Sequence, residues 1–268
     1  MPASAAPNRS EVLVIAIDGP SGSGKSSVSR EVARQLGLEY LDTGAMYRAV
    51  CWSCLEHGID LADAVAVARH TQALVLKVGT HPQAPSVRVD GVDVTEQIRE
   101  PRISAAVSTV ATNLEVRAEL KRRQRALIET AKAGPCRGVV AEGRDITTVV
   151  APDADVRLLL TASEQARIER RALEVLGSAD DGALAATHDL VVRRDADDST
   201  VSSFFTAADG VLSLDSSRLT FDQTVDAVMD AVAAAAPKWV RAVDLVDSAG
   251  SGVPASRSAL DPSGRSTP

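Results

Sequence analysis

The chain has 268 residues, with 29 Lys and Arg against 36 Asp and Glu and a formal net charge of −7, so its overall charge does not attract a polyphosphate backbone. Aromatic residues make up only 3% of the chain, too few for the stacking surfaces that single-stranded nucleic acids need. Both features argue against a nucleic-acid-binding protein, and any anionic ligand must be bound by local positive charge.

Chain length, cysteine content and the distribution of apolar residues indicate the broad class. A chain of this length can form one or two domains with a buried core. Its three cysteines cannot form a disulfide framework, and an odd number suits a reducing compartment. The N-terminus has no apolar run typical of a signal peptide, and no stretch reaches the ~20 apolar residues of a membrane span. We therefore predict a cytoplasmic protein that does not bind membranes.

Short apolar runs alternate with amphipathic segments along most of the chain, which is the pattern of a mostly parallel sheet covered by helices. The run at residues 12–17 is continuous and rich in β-branched residues, as expected of a strand buried on both faces. Further short strands are predicted at residues 139–141, 156–160 and 211–214. The predicted fold class is therefore α/β.

Three helices are predicted from apolar spacing and from signals at their ends. The first follows residue 26 and would end at Gly37. Thr161 with Glu164 has the spacing of a capping box before the second helix, and Thr220 with Gln223 has the same spacing before the last. The positions predicted to face the core are Val28, Val32 and Leu36 in the first helix, Ile168, Ala172 and Val175 in the second, and Phe221, Val225, Val228 and Val232 in the last.

The middle of the chain departs from this alternation. Residues on both sides of Asp90-Gly91 alternate with period two, so we predict that residues 74–100 form a small antiparallel hairpin insertion. A long helical stretch is predicted from Ile103 to Lys132. Its basic cluster at residues 121–125 is interpreted as a solvated helix face, with a role in orienting nucleotide as the alternative. Residues 177–203 are polar and Asp-rich without a clear period, which is typical of a mobile lid or a plain surface loop.

The remaining segments set the expected limits of the folded domain. We predict that it spans residues 11–236, with a disordered N-terminus at residues 1–10 and a disordered Ser-, Gly- and Pro-rich tail at residues 237–268. Cys51 and Cys54 have C-x-x-C spacing, but no second pair accompanies them, so we interpret them as ordinary thiols rather than metal ligands.

Residues 19–26, Gly-Pro-Ser-Gly-Ser-Gly-Lys-Ser, match the phosphate-binding motif G-x-x-x-x-G-K-[ST] between a predicted strand and a predicted helix. The glycines let successive backbone N–H groups point inward at an anion, and the following helix adds the positive end of its dipole. Lys25 would contact the terminal phosphates of ATP, and Ser26 would ligate Mg²⁺. The residues expected to bind ATP are Gly19, Pro20, Ser21, Gly22, Ser23, Gly24, Lys25, Ser26 and Ser27.

The type of molecule that receives the phosphoryl group is indicated by the segments that carry Arg48 and Arg144. A switch GTPase is disfavoured first, because the guanine-reading tetrapeptide N-K-x-D is absent from the sequence. The strand at Val139 continues as Glu142-Gly-Arg-Asp145, which places Arg144 where a second phosphate would lie. Arg48 supplies another always-charged guanidinium, and Thr43 supplies a hydroxyl. This pattern favours transfer between two small phosphorylated molecules.

These motifs, together with the hairpin insertion, resemble the bacterial cytidylate kinases of the nucleoside-monophosphate kinase family. The resemblance runs from about Val12 to Val232 in a single order. It implies a P-loop three-layer sandwich with a parallel central sheet, a hairpin insertion near the acceptor site and a lid over the donor. It further implies transfer of the γ-phosphoryl group of ATP to CMP or dCMP with Mg²⁺, and a monomeric protein.

The resemblance also implies roles for individual residues. Lys25, Arg144 and Arg194 would act in catalysis, Arg48 and Arg144 would hold the CMP phosphate, and Ser108, Arg117 and Asp145 would read the cytosine edge. Asp198 would contact the acceptor sugar. The full set expected to bind CMP is Thr43, Tyr47, Arg48, Ser108, Arg117, Gly143, Arg144, Asp145 and Asp198.

The predicted lid departs from the family pattern. Val201 and Asp197 stand where the family commonly has basic residues, so Arg193 is an alternative to Arg194 for contacting the transferred group. Two other functions stay open at this point. One is a P-loop kinase of another small acceptor, such as UMP or shikimate, and the other, which the altered lid favours, is a nucleotide-binding regulator that has lost catalysis.

Overall fold

The structure is a computed structural model that describes residues 12–136 and 138–237. The N-terminus at residues 1–10 and the tail from residue 238 onward, both predicted to be disordered, lie outside the described residues. The strands within the described ranges are β1 (Leu13–Asp18), β2 (Glu39–Asp42), β3 (Leu76–Gly79), β4 (Ser86–Val89), β5 (Val92–Asp93), β6 (Gly138–Gly143), β7 (Val156–Thr161) and β8 (Leu212–Asp215).

Helices connect most of these strands. They are α1 (Lys25–Leu36), α2 (Thr43–Glu56), α3 (Ala64–Ala73), α4 (Pro101–Ala111), α5 (Leu114–Ala133), α6 (Glu164–Leu176), α7 (Asp181–Ser199) and α8 (Phe221–Ala235). A 3₁₀ turn at Gln97–Arg99 precedes α4, and a π turn at Ile146–Val150 follows β6. No helix in the described part of the chain combines the length and apolar character needed to cross a membrane.

The central sheet is parallel and has the strand order β2-β6-β1-β7-β8. All six residues of β1 are buried, and successive side chains enter different cores because they point to opposite faces. Val14 and Ala16 belong to the core that includes residues of α2, α4 and α5. Leu13, Ile15 and Ile17 belong to the core that includes residues of α1 and α8. The predicted α/β three-layer sandwich is therefore confirmed.

The strand ends bring the sequence motifs to one edge of this sheet. In the pairing register, Asp18 at the end of β1 lies beside Gly143 at the end of β6, and Asp42 at the end of β2 lies beside Glu142. Because parallel strands end at the same edge, the phosphate-binding loop at residues 19–26 (the P-loop), the start of α2 and the Arg144-Asp145 turn meet there.

The insertion forms a separate antiparallel sheet in the order β3-β4-β5, as its period-two pattern predicts. Asp90 and Gly91, with φ values of 50° and 87°, make the turn between β4 and β5. Val87 and Val89 of β4 are buried in the same core as α2. The chain then passes through the 3₁₀ turn, which brings Arg99 to the edge of the central sheet where the motifs meet.

Two predictions about helices are wrong. The stretch from Ile103 to Lys132 is two helices, because Asn113 accepts hydrogen bonds from the N–H groups of Glu115 and Val116 and begins a new helix, α5. Residues 177–203 are mostly the helix α7 rather than a plain surface loop, with Asp180 as its N-cap, and their role as a lid stays a prediction. Alanines and buried acidic residues interrupt the apolar period of α7, which is why its helical character was not visible in the sequence.

Three smaller expectations are also corrected. Thr161 ends β7, and Ser163 is the N-cap of α6; the capping box of Thr220 and Gln223 at α8 is present as predicted. Val175 is 44% exposed because it faces a cavity rather than the core. Phe221 is 48% exposed and is the first residue of its helix.

The basic cluster at residues 121–125 is only partly a solvated face. Arg122 is exposed and pairs with Glu119. Arg123 donates to the carbonyl oxygens of Thr71 and Leu74 at the end of α3, each at 2.8 Å. Arg125 donates to the carbonyl oxygens of Val149 and Val150, at 2.6 and 3.0 Å. These two arginines satisfy backbone groups that would otherwise lack partners, so their role is structural.

Candidate active site

A cavity of about 430 Å³ lies at the carboxyl edge of the central sheet. Its lining contains more cationic than acidic side chains, although the whole chain carries a net charge of −7. The cationic residues are Lys25, Arg48, Arg99, Arg117, Arg144, Arg171 and Arg194, and the acidic residues are Asp42, Glu142, Asp145, Glu174 and Asp198. The cavity therefore concentrates positive charge locally, as an anion-binding site requires.

The P-loop forms one wall of this cavity. Gly22 and Gly24 have φ values of 75° and 85°, a left-handed conformation that glycine adopts without steric cost. Gly24 is the N-cap of α1, so the helix begins at Lys25 and its positive end faces the cavity. A Cβ atom at Gly19 would lie 2.2 Å from the carbonyl oxygen of Leu160, so the loop can lie this close to β7 only with glycine there.

Lys25 is the cation that lines the cavity and also contacts the P-loop backbone. Its Nζ donates to the carbonyl oxygen of Pro20 at 3.2 Å. Burial of the ammonium group lowers the pKa of Lys25 to about 8, and the charges of Arg144 and Arg194 act in the same direction, while Glu142 opposes them. Lys25 is thus a cation without enough surrounding negative charge, which a bound triphosphate would supply.

Glu142, Ser26 and Tyr40 form an oxygen-rich group beside the P-loop. The Ser26 hydroxyl donates to Glu142 Oε1 at 2.7 Å, and the Tyr40 hydroxyl donates to the same oxygen at 3.2 Å. Burial raises the pKa of Glu142, and the nearby Asp42 carboxylate raises it further. Hydroxyl and carboxylate oxygens are the hard ligands that Mg²⁺ prefers, so the residues present fit a magnesium ion shared with substrate phosphates.

Asp42 connects the start of α2 to two arginines. Its Oδ1 accepts from the Ala45 N–H at 2.8 Å, and its Oδ2 accepts from Arg48 Nη2 at 2.7 Å. Arg99 Nη2 lies 4.0 Å from the same Oδ2. Burial alone would raise the pKa of Asp42, but Arg48 and the Ala45 N–H hold it below its usual value. Arg48 Nε is buried without a hydrogen-bond partner, so this guanidinium retains a donor for a ligand.

Thr43 joins the end of β2 to the end of β6. Its hydroxyl donates to the carbonyl oxygen of Glu142 at 2.7 Å. A Cβ atom at Gly143 would lie 2.5 Å from the Thr43 hydroxyl oxygen, so glycine at this position permits the close contact. The contact fixes the position of Arg144 relative to α2.

Asp145 and Arg117 form an ion pair that lines the same cavity. Arg117 Nη1 also donates to the carbonyl oxygen of Ala111, at 3.2 Å, which holds the guanidinium at the break between α4 and α5. Burial raises the pKa of Asp145, while Arg117 opposes the rise. The pair presents a carboxylate acceptor and a guanidinium donor next to one another.

Arg144 is held from three directions. Its Nη1 lies 3.1 Å from Asp195 Oδ1, and its Nε lies 2.6 Å from Asp198 Oδ2. The guanidinium also stacks over the Phe204 ring, 4.5 Å from the ring centre. These contacts leave it little freedom to change rotamer.

Arg194 lies on the same face of α7 as Asp198. Arg194 Nε is 3.8 Å from Asp198 Oδ2, too far for a hydrogen bond, and this Nε is buried without a hydrogen-bond partner. Burial lowers the pKa of Arg194 to about 9, and Arg144 and Arg48 lower it further. Like Lys25, it is a cation that lacks sufficient negative charge around it.

Comparison with known proteins identifies the family. A family model described as cytidylate kinase matches residues 15–234. The chain belongs to the cytidylate kinase family. A protein named cytidylate kinase from Cutibacterium acnes is 51% identical over 225 residues, which cover 82% of this chain and 96% of that protein. A protein of the same name from Streptomyces avermitilis is 43% identical over 221 residues, which cover 82% of this chain and 92% of that protein.

Most site residues predicted for this cytidylate kinase family member line the cavity. They are Ser21, Gly22, Gly24, Lys25, Ser26, Ser27, Thr43, Tyr47, Arg48, Arg117, Gly143, Arg144, Asp145, Arg194 and Asp198. Gly19, Pro20 and Ser23 instead form the base of the P-loop, where the Gly19 N–H donates to the carbonyl oxygen of Gly143 at 3.3 Å. Arg193 is exposed on α7, so Arg194 is the better placed of the two arginines.

Ser108 is not among the lining residues of the cavity. It is partly buried on α4, one residue after Val107, which does line the cavity, as does Ser104 one turn earlier. Its cytosine-reading role stays a prediction.

Several residues of the site were not found from the sequence. Arg99 and Arg171 line the cavity, and Asp195 and Arg167 are buried behind it. Arg99 could have been predicted as a site residue, because it is basic and directly follows the hairpin. No sequence signal pointed to Arg167, because it contacts the P-loop through the packing of α6.

The low pKa of Lys25 predicts that ATP binding takes up protons. At pH 8 about half of the Lys25 side chains in the free protein are neutral, and the bound triphosphate favours the charged form, so about half a proton enters per ATP. Uptake should approach zero at about pH 6, and ATP affinity should fall as the pH rises through 8. Calorimetric titration in Tris and Hepes, which differ in ionisation enthalpy, measures the uptake.

Lys25→Met is the control for this measurement. The variant should lose the uptake at pH 8, where Arg194, with its pKa of about 9, is still mostly charged. Equal uptake by the variant and the unmodified protein would contradict the assignment to Lys25.

Proposed function

We propose that this member of the cytidylate kinase family transfers the γ-phosphoryl group of ATP to CMP or dCMP, giving ADP and CDP or dCDP. The observation that carries the proposal is that one cavity is lined both by the P-loop with Lys25 and by Arg48, Arg144 and Asp145. Two anions can therefore be bound with no protein wall between them. The names of the relatives from Cutibacterium acnes and Streptomyces avermitilis support the same reaction.

ATP would bind with its phosphates along the P-loop and the start of α1. Lys25 would then pair with the terminal phosphates, which restores its full charge. The Ser26 hydroxyl, with Glu142 next to it, would hold Mg²⁺ against the same phosphates. When bound, the ion supplies positive charge that offsets the negative charge on the β- and γ-phosphates.

The acceptor phosphate would bind between Arg48 and Arg144. Each guanidinium can donate two parallel hydrogen bonds to phosphate oxygens, and Arg48 Nε is a buried donor still free of hydrogen bonds. Asp42 and Asp198 fix the directions of these two arginines. Their positive charges reduce the repulsion between the acceptor phosphate and the incoming γ-phosphoryl group.

The pair of Asp145 and Arg117 suits the edge of cytosine. The carboxylate accepts from the exocyclic amine, and the guanidinium donates to the ring nitrogen and oxygen. Uracil presents a carbonyl oxygen where cytosine presents the amine, so Asp145 would face another acceptor. An unpaired buried polar group costs about 1–3 kcal/mol, and this cost disfavours UMP. No residue that lines the cavity favours shikimate as the acceptor, or a purely regulatory role, over phosphorylation of CMP or dCMP.

Catalysis in this arrangement depends on position and charge. An oxygen of the acceptor phosphate attacks the γ-phosphorus, the bond from that phosphorus to the β–γ bridging oxygen breaks, and ADP leaves with the electron pair. The attacking oxygen is already anionic, so no general base is needed. Lys25 and Arg194 neutralise the transferring group, and the acceptor arginines hold the attacking oxygen in line. The monomeric state and the cytoplasmic location stay predictions.

The acceptor range tests the cytosine assignment. We expect kcat/KM for CMP and dCMP to exceed that for UMP by about 5- to 150-fold, because uracil leaves Asp145 without a donor at a cost of about 1–3 kcal/mol. ADP release measured with CMP, dCMP, UMP, AMP and shikimate in turn gives the comparison. The Asp145→Asn side chain offers both a hydrogen-bond donor and an acceptor, so this variant should show a smaller difference in kcat/KM between CMP and UMP. A preference of the unmodified enzyme for UMP would overturn the assignment.

Two adjacent arginines test the role of α7. Arg194→Ala should lower kcat by about 100-fold or more, because it removes a buried cation from the transferring group. Arg193→Ala removes the same side chain from the exposed face of the same helix and should leave kcat within about two-fold. Steady-state rates at saturating ATP and CMP, with melting temperatures for both variants, make the comparison. If the two losses in kcat are equal, the role assigned to Arg194 is wrong.

A further inference from the structure

Asp195 on α7 lies between the donor and acceptor sides of the cavity, and the function proposed above gives it no role. Its side chain is 5% exposed, so its charge is almost entirely shielded from water. Three partners contact its two carboxylate oxygens, and they come from the P-loop, from α6 and from the turn after β6. A buried carboxylate with this many partners is fixed in direction.

On the donor side, Asp195 binds the P-loop directly and through Arg167. Its Oδ1 accepts from the Ser21 N–H at 3.1 Å. Its Oδ2 is paired with Arg167 Nη1, and the same Nη1 donates to the Ser21 carbonyl oxygen at 3.0 Å. Asp195, Arg167 and Ser21 thus form a closed ring of hydrogen bonds that holds both backbone groups of one P-loop residue.

On the acceptor side, the same Oδ1 accepts from Arg144 Nη1 at 3.1 Å. Asp198, one turn later on α7, binds Arg144 Nε. One oxygen atom of Asp195 is therefore shared between a P-loop N–H group and the arginine expected to hold the CMP phosphate.

We propose that Asp195 is a positioning residue that couples ATP binding to CMP binding. The inference rests on the proposed function, because it assumes that the P-loop binds ATP and that Arg144 binds CMP. When the phosphates of ATP draw the Ser21 N–H toward themselves, Oδ1 of Asp195 loses one of its two donors. Its charge then acts more fully on Arg144 and strengthens the contact that holds this guanidinium in the position that binds CMP. Each substrate thereby raises the affinity for the other, as linkage requires.

The test compares two aspartates on one helix. Asp195→Asn keeps the size of the side chain but removes the charge that Arg144 and Arg167 share. Asp197→Asn makes the same chemical change two residues later, on a partly exposed side chain that does not line the cavity. Calorimetry gives the Kd of CMP for each protein, with and without the non-hydrolysable analogue AMP-PNP and Mg²⁺, and the ratio of the two Kd values is the coupling factor.

We expect a coupling factor of about 5 or more for the unmodified enzyme and for Asp197→Asn, and a factor near 1 for Asp195→Asn. The Kd of CMP alone should change by less than about three-fold, since Arg144 keeps Asp198 and Phe204. The KM for each substrate at saturating co-substrate should rise in Asp195→Asn, because the mutual gain in affinity is lost. A residue with a purely structural role would lower the melting temperature without changing the coupling factor.

Two results would overturn the proposal: an unchanged coupling factor in Asp195→Asn, or a factor near 1 in the unmodified enzyme. If Asp195→Asn does not fold, Asp195→Glu is measured instead; it keeps the charge but moves it by one methylene, and it should also lose the coupling. A folded Asp195→Glu with the full coupling factor would equally overturn the proposal. Failure of the proposed function is a separate outcome, since the unmodified enzyme would then form no CDP from ATP and CMP.

Discussion

The site depends on buried cations that are held close together and repel one another. Lys25, Arg48, Arg144 and Arg194 line one cavity, and burial lowers the pKa values of Lys25 and Arg194 to about 8 and about 9. Water screens such repulsion poorly inside a protein, so the arrangement costs stability until anions enter. In the proposed reaction these cations would bind two phosphate groups at once and stabilise the still more charged state between them.

Buried carboxylates offset part of this repulsion, and their ion pairs with the arginines also fix the directions of the guanidinium groups. Asp42 fixes Arg48, Asp198 and Asp195 fix Arg144, and Glu142 lies beside the P-loop. Each carboxylate is placed by backbone geometry: Asp42 and Glu142 end adjacent parallel strands, and the other two lie one turn apart on α7. The arginines are therefore oriented before any substrate binds, which lowers the entropy lost on binding.

Sequence patterns predicted those parts of the site that are encoded locally. The P-loop was predictable because its glycines, its lysine and the helix after it are contiguous. The segment Glu142–Asp145 was predictable because its arginine directly follows a buried strand. The contact between Ser21 and Asp195 joins residues 174 positions apart and depends on how α6 and α7 pack, so no local signal reports it. Helix α7 itself was missed since its buried face carries acidic residues, Asp195 and Asp198, where a core helix would carry apolar ones. The break at Asn113 was missed because an N-cap residue inside a long helical pattern resembles a surface position.

A crystal structure with ADP, aluminium fluoride, Mg²⁺ and CMP bound together tests the central claim most directly. The fluoride complex imitates the transferring phosphoryl group, so its neighbours report which cations serve that group. We expect the aluminium fluoride to lie between ADP and the CMP phosphate and to contact Lys25 and Arg194. The CMP phosphate should contact Arg48 and Arg144. A CMP phosphate bound away from both of these arginines, or separated from the P-loop by protein, would contradict this expectation.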